Sequence, residues 1–177
     1  MIILVGASAS GKTEIAKILA KKYGIAKAIT HTTRQMREGE RDGIDYFFVT
    51  KDAFRDLMAR SSFVETTTYN DNYYGCSKSQ VSDDKAVIVD PNGLHAFLDL
   101  RDPRVISFHV KASEDTRYRR MIERGDSIAN AQKRLINDKV DFSRANVGRT
   151  HFTIENEDST LEEVADDIYE KYVASLK

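Results

Sequence analysis

The chain has one cysteine, two prolines and no tryptophan in 177 residues. The single thiol, Cys76, excludes an internal disulfide and every Cys-based zinc cage, so a reducing cytoplasm is the expected setting. No apolar run approaches the ~18 residues of a membrane span, and no membrane partner is expected. The first residues, Met1–Val5, read as a strand rather than a signal peptide. Excess charge of one sign is also missing, since 27 basic residues face 28 acidic ones. That balance argues against a general nucleic-acid surface. Repeats, low-complexity tracts and linkers are absent, and the length suits one compact domain with small inserted lobes.

What the chain does contain is Gly6-Ala7-Ser8-Ala9-Ser10-Gly11-Lys12-Thr13, directly behind the apolar stretch Ile2–Val5. The stretch fits G-x-x-x-x-G-K-[ST], and Ile15, Ile18, Leu19 and Tyr23 follow at helical spacing. Strand, glycine loop and helix are the context this pattern needs. The glycines let the backbone curl until successive N–H groups point at a phosphate chain, and the helix adds its positive end. Lys12 is then expected to reach the outer phosphates of a nucleotide, and the Thr13 hydroxyl to bind a magnesium ion. The loop implies a nucleotide without specifying a reaction.

Strand signals recur at Ile2–Val5, Ala26–Thr30, Tyr46–Val49, Phe63–Tyr69, Ala86–Val89, Val105–Val110 and Phe152–Ile154. Between most of them fall helical signals. Thr50 reads as the cap of a helix carrying Phe54, Leu57 and Met58, and Ser113 as the cap of one carrying Tyr118, Met121 and Ile122. Ser159 and Glu162 read as a capping box for the last helix. That helix has an apolar stripe of Leu161, Val164, Ala165, Ile168, Tyr169, Tyr172, Val173 and Leu176, expected to pack into the core. The alternation predicts an α/β fold with a largely parallel sheet flanked by helices. Residues 31–49 break it with a polar, charged loop, and Phe63–Tyr69 runs into the hairpin signal Asn70-Asp71-Asn72. An inserted antiparallel lobe is expected there, where a second substrate would be read.

That lobe carries His31-Thr32-Thr33-Arg34-Gln35-Met36-Arg37-Glu38-Gly39-Glu40, Asp45-Tyr46-Phe47-Phe48-Val49, Phe63-Val64-Glu65 and Asn72-Tyr73-Tyr74-Gly75. In order and spacing these elements, with the phosphate loop, closely resemble the guanylate kinase family, over nearly the whole chain. The resemblance implies a P-loop NTPase-like core, an inserted lobe that binds the nucleoside monophosphate and a short helical lid. It implies ATP and GMP (and dGMP) as substrates, ADP and GDP as products, and Mg2+ as the accompanying ion. In outline it places the core at about residues 1–30, 77–120 and 135–177, the GMP-binding lobe at 31–76 and the lid at 121–134.

Residue by residue, the resemblance puts Arg34, Arg37, Tyr46 and Tyr74 on the acceptor phosphate. Two arginines three apart can fork onto one phosphate, although an isolated pair would more often be solvated surface charge. Glu65 matches the carboxylate that reads guanine N1–H and the 2-amino group, a donor pair that adenine lacks. Thr30 and Cys76 fall where the family has hydroxyl residues near the base, and Cys76 offers only a weakly donating thiol. Ile88-Val89-Asp90 keeps one of two family aspartates. Asp90 reads either as the acidic residue near the base and the metal-bound waters or as a helix N-cap before Pro91-Asn92-Gly93. Arg120, Arg124 and Arg134 match three lid and transfer-site arginines around the turn Gly125-Asp126-Ser127, and Asn156 matches a position near the adenine. A monomer or homodimer is expected. The competing readings are a P-loop kinase with another acceptor, such as a different monophosphate or a phosphorylated ribose, and a non-catalytic binding module of the same fold.

Overall fold

The computed structural model describes residues 1–176. The chain begins with β1 (Ile2–Val5), α1 (Lys12–Tyr23), β2 (Ala26–Lys27), β3 (His31–Thr32), β4 (Phe47–Phe48), α2 (Lys51–Ala59), β5 (Phe63–Tyr69) and β6 (Asn72–Ser77). It continues with β7 (Lys85–Val89), α3 (Pro91–Asp99), β8 (Ile106–Lys111), α4 (Glu114–Glu123), α5 (Ile128–Asp141), α6 (Arg144–Val147), β9 (Phe152–Glu155) and α7 (Leu161–Ser175). Five strands form a parallel sheet in the order β2-β7-β1-β8-β9. Four more form a second sheet, β4-β3-β6-β5, in which β3–β6 and β5–β6 are antiparallel and β3–β4 is parallel.

The central strand β1 explains why its sequence is apolar without a break. Ile2 and Leu4 join one buried cluster with Ile15 and Leu19 of α1 and with Val164, Ile168 and Tyr172 of α7. Ile3 and Val5 join the opposite cluster with Leu94 and Phe97 of α3. A strand covered on both faces has no solvent side to mark with polar residues. The apolar stripe of α7 packs into the core through Val164, Ala165, Ile168 and Tyr172, whereas Leu176, just past the helix, is 38% exposed.

Three local expectations shift. The segment Ala26–Thr30 is not one strand. Ala28 still donates to the Ala86 carbonyl, but the Ile29 N–H turns to the side chain of the buried Gln80 at 3.0 Å, and the chain crosses into the second sheet. The Tyr46–Val49 strand is reduced to Phe47–Phe48. The capping box of α7 is Thr160 with Glu163, one residue beyond Ser159 and Glu162. Both pairs satisfy the same pattern. The structure uses the second pair, with the Thr160 side chain accepting the Glu163 N–H, and Val164, Ala165 and Ile168 lie in the core. The hairpin turn falls where it was expected, with Asn70 and Asp71 at φ of 46° and 63°.

Candidate active site

The loop between β1 and α1 is shaped by close approach. A side chain at Gly6 would meet the Val110 carbonyl oxygen at 2.2 Å, and one at Gly11 would meet Asn156 Nδ2 at 2.3 Å. Gly11 also has φ of 102°, a conformation that costs glycine little. Asn156, fully buried, props the loop from behind: Nδ2 donates to the Ser10 carbonyl at 2.8 Å. Its own backbone carbonyl accepts from Arg120 Nη2 at 3.0 Å, and Arg120 Nη1 donates to the Ala9 carbonyl at 3.4 Å. Arg120 and Asn156 thus converge on the loop from α4 and from the end of β9.

Lys12 opens α1 and folds back over the loop. Its Nζ donates to the Ala7 carbonyl at 2.8 Å and to Ser10 Oγ at 3.2 Å. Burial lowers its pKa to about 8, with Asp138 pulling it up and Arg117 pushing it further down. Thr13 follows, exposed on the first turn of α1. Ser8, at the crest of the loop, is held by Asp138, whose Oδ2 accepts the Ser8 N–H at 2.8 Å and whose Oδ1 accepts Ser8 Oγ at 3.3 Å. The same Oδ2 accepts from Arg117 Nη1 at 2.9 Å.

The second sheet gathers a separate set. Arg34 makes a forked pair with Glu40, Nη1 to Oε2 at 3.0 Å and Nη2 to Oε1 at 2.7 Å. Glu40 also accepts the Arg37 backbone N–H at 2.7 Å, and Arg34 with Arg37 holds this carboxyl below its ordinary pKa. The Arg34 guanidinium lies over the Tyr46 ring at 5.5 Å, and the Tyr46 and Tyr74 ring centroids are 6.2 Å apart. The Arg37 side chain is exposed. Glu65 accepts the Cys76 backbone N–H at 3.2 Å across the β5–β6 pairing. Burial raises the Glu65 pKa, the Cys76 hydrogen bond opposes the rise, and the Asp90 charge adds to it. Asp90 directly follows β7, so this last effect links the second sheet to the core.

Asp90 is the N-cap of α3, with Oδ1 accepting the Gly93 N–H at 2.7 Å, which establishes the capping role. The Cys76 thiol is buried and pushed up to about 12 by desolvation and by Glu65, so it is a neutral, inert group. Thr30 sits at the crossing between the sheets, its carbonyl accepting from the Phe47 N–H. Ile88 is 40% exposed on β7, leaving an apolar side chain two residues before Asp90.

The three arginines expected at a lid and transfer site do not converge. Arg120 is at the loop, Arg124 pairs with Asp126 at 2.6 Å, and Arg134 stands exposed on α5. Sequence reasoning passed over Arg117, Asp138 and Gln80, and named Glu40 only as part of the lobe's motif without a role. A signal existed for the first two: Arg117 shares a face with buried Met121 on α4, and Asp138 with buried Ala131 on α5. Opposite charges at inward positions of consecutive helices imply a buried pair.

The fit of a magnesium ion can be judged from the donors. Among the described residues no group of three or more His, Cys, Asp or Glu could hold a metal. Thr13 and Asp90 offer hard oxygen atoms at the ends of neighbouring elements, which suits an ion held chiefly by phosphate oxygens and water.

The family model described as guanylate kinase matches residues 1–174. A guanylate kinase of Schizosaccharomyces pombe is 41% identical over 88 residues, 49% of this chain and 44% of that protein. One of Chromohalobacter salexigens is 32% identical over 148 residues, 80% of this chain and 69% of that protein. One of Neisseria meningitidis is 34% identical over 143 residues, 76% and 70% of the two chains. The matched stretch therefore spans under half of the yeast protein's length and about 70% of the two bacterial ones. The crystal structure of a guanylate kinase from Anaplasma phagocytophilum shares the fold, with a TM-score of 0.65 at 22% identity over 98% of this chain and 85% of that one.

Proposed function

The chain belongs to the guanylate kinase family, and on that premise we propose that it transfers the γ-phosphate of ATP to GMP, and to dGMP. The observation that carries this reading is the pairing of two unlike sites. One is a glycine-shaped loop with a lysine folded onto it; the other is a sheet lobe presenting Arg34, Tyr46, Tyr74 and a half-buried Glu65.

In this reading the backbone N–H groups of the Gly6–Thr13 loop, apart from that of Ser8, which Asp138 holds, receive the ATP phosphates, and Lys12 leaves the Ala7 carbonyl to meet the outer ones. Asn156 lies near the adenine. Arg34, Arg37, Tyr46 and Tyr74 hold the GMP phosphate, and Arg34 shares its guanidinium between that phosphate and Glu40. Glu65 accepts from guanine N1–H and the 2-amino group, with Thr30 and Cys76 beside the base and Asp90 across the cleft. Thr13, with Asp90 through water, would hold Mg2+, which supplies charge neutralisation at the phosphates. A GMP phosphate oxygen then attacks the γ-phosphorus, and the bond from phosphorus to the β,γ-bridging oxygen breaks to release ADP. The attacking oxygen carries no proton that must be removed, so the residues act by positioning and by charge. Arg120, Arg124 and Arg134 close over the transferring group and exclude water.

The proposed division is a core of about residues 1–30, 77–120 and 135–177, a GMP lobe at 31–76 and a lid at 121–134. The setting is the cytoplasm and purine nucleotide metabolism, with the chain acting as a monomer or homodimer. Cys76 and the exposed Ile88 favour one second reading, a kinase of the same fold with a different acceptor. ADP release from ATP against GMP, dGMP, AMP, CMP, UMP and ribose phosphates separates the two. Turnover confined to a non-guanine acceptor sinks the guanylate reading, and no turnover with any acceptor points to a binding module.

A further inference from the structure

Arg117 and Asp138 form the most buried ion pair among the described residues, with side chains 7% and 9% exposed. As a device for stability such a pair is poor. Desolvation offsets much of the attraction, and well-packed apolar residues of similar volume do as well or better. An apolar pair could not, however, supply the third link, from the Asp138 carboxylate to the Ser8 N–H and hydroxyl. Ser8 directly precedes Ala9, a non-glycine residue at φ of 59°, so the crest of the loop is held in a conformation it does not prefer. Arg117 Nη1 also approaches the Ser8 carbonyl at 3.5 Å. One carboxylate therefore fastens the loop crest to both α4 and α5.

Arg134 lies four residues before Asp138, on the same face of α5. Anchoring Asp138 on Ser8 therefore anchors the turn that carries Arg134 relative to the phosphate loop. We propose that Asp138 is a positioning residue that registers α5, and with it Arg134, on the phosphate loop, with Arg117 as the counter-charge that allows its burial. The proposal rests on the phosphotransfer reading of the loop and of Arg134. The opposite effects of Asp138 and Arg117 on Lys12 show that the pair also lies within electrostatic reach of the loop lysine.

The test uses the full chain with the double variant Arg117→Met, Asp138→Leu, which removes both charges at similar volume and is expected to keep its melting transition. Hydrogen exchange at the Ser8 amide, followed by NMR without substrate, should speed by roughly tenfold or more while the β1 amides stay protected. Misplacing a group by about an ångström can cost on the order of a hundredfold, so kcat for GMP should fall roughly ten- to a hundredfold with KM for GMP unchanged. Arg117→Met with Asp138→Asn keeps an oxygen for the Ser8 N–H and should recover part of both losses; it carries the test if the leucine variant does not fold. Wild-type kcat, or unchanged Ser8 exchange, in a folded double variant overturns the proposal. If the wild type transfers no phosphate to GMP, the functional reading fails instead, and Ser8 exchange still decides whether Asp138 holds the loop.

Discussion

The Glu65 carboxylate accepts the Cys76 backbone N–H at 3.2 Å, which sets a half-buried carboxyl beside a fully buried thiol. The hydrogen bond aims the carboxylate, and burial makes its charge costly unless a ligand supplies further donors. A base with two adjacent N–H donors meets that need, and a base without them leaves the charge unpaired.

Glu65→Gln is expected to lower kcat/KM for GMP by roughly a hundredfold or more and to collapse the preference for GMP over AMP. Steady-state kinetics with both acceptors checks this. Stability should move the other way. The Glu65 pKa is raised on folding, so the folded wild type loses stability as pH rises through that pKa. The glutamine variant should melt higher than wild type at neutral pH. The gap should close below about pH 4, where an ordinary carboxyl is also protonated.

Burial disfavours the Lys12 charge and lowers its pKa to about 8. Triphosphate binds the ammonium form better, so ATP affinity of the free protein should weaken as pH rises through 8, as read by calorimetry. Lys12→Ala should abolish that pH dependence and lower kcat by roughly a hundredfold or more.

Gly11→Ala places a methyl group 2.3 Å from Asn156 Nδ2 at a φ of 102°. The expected cost is about 1 kcal/mol or more in urea unfolding. Because Asn156 supports the loop through Ser10, KM for ATP should rise while KM for GMP holds.

Asp90 caps α3 through the Gly93 N–H, and its charge reaches Glu65. Asp90→Ala should cost about 0.5–2 kcal/mol through loss of the cap. Asp90→Ser keeps a capping oxygen and should recover most of that stability. If Asp90 also serves the acceptor site, both variants raise KM for GMP; if it is only a cap, the serine variant is kinetically silent.

The core was legible because its signals are local. An unbroken apolar β1, a glycine loop and a helix at helical spacing leave one arrangement, and the α7 stripe marks its buried face. The second sheet was less legible. Ile29 leaves the first sheet because the side chain of Gln80, 51 residues away, takes its N–H, and no local pattern carries that information. The α7 cap slipped by one residue because Ser159 with Glu162 and Thr160 with Glu163 satisfy the same local rule. The assignment of Arg34, Tyr46, Glu65 and Tyr74 to an acceptor site rests on their family spacing, since each would read alone as an ordinary surface or core residue. Asp138 was missed because its partners, Ser8 and Arg117, lie 130 and 21 residues away.

The most direct measurement is the ratio of kcat/KM for GMP to that for AMP, with ATP as donor, on the wild-type chain at neutral pH. A site that reads guanine through Glu65 predicts a ratio on the order of a thousand or more. A ratio near one, or one favouring AMP, contradicts it.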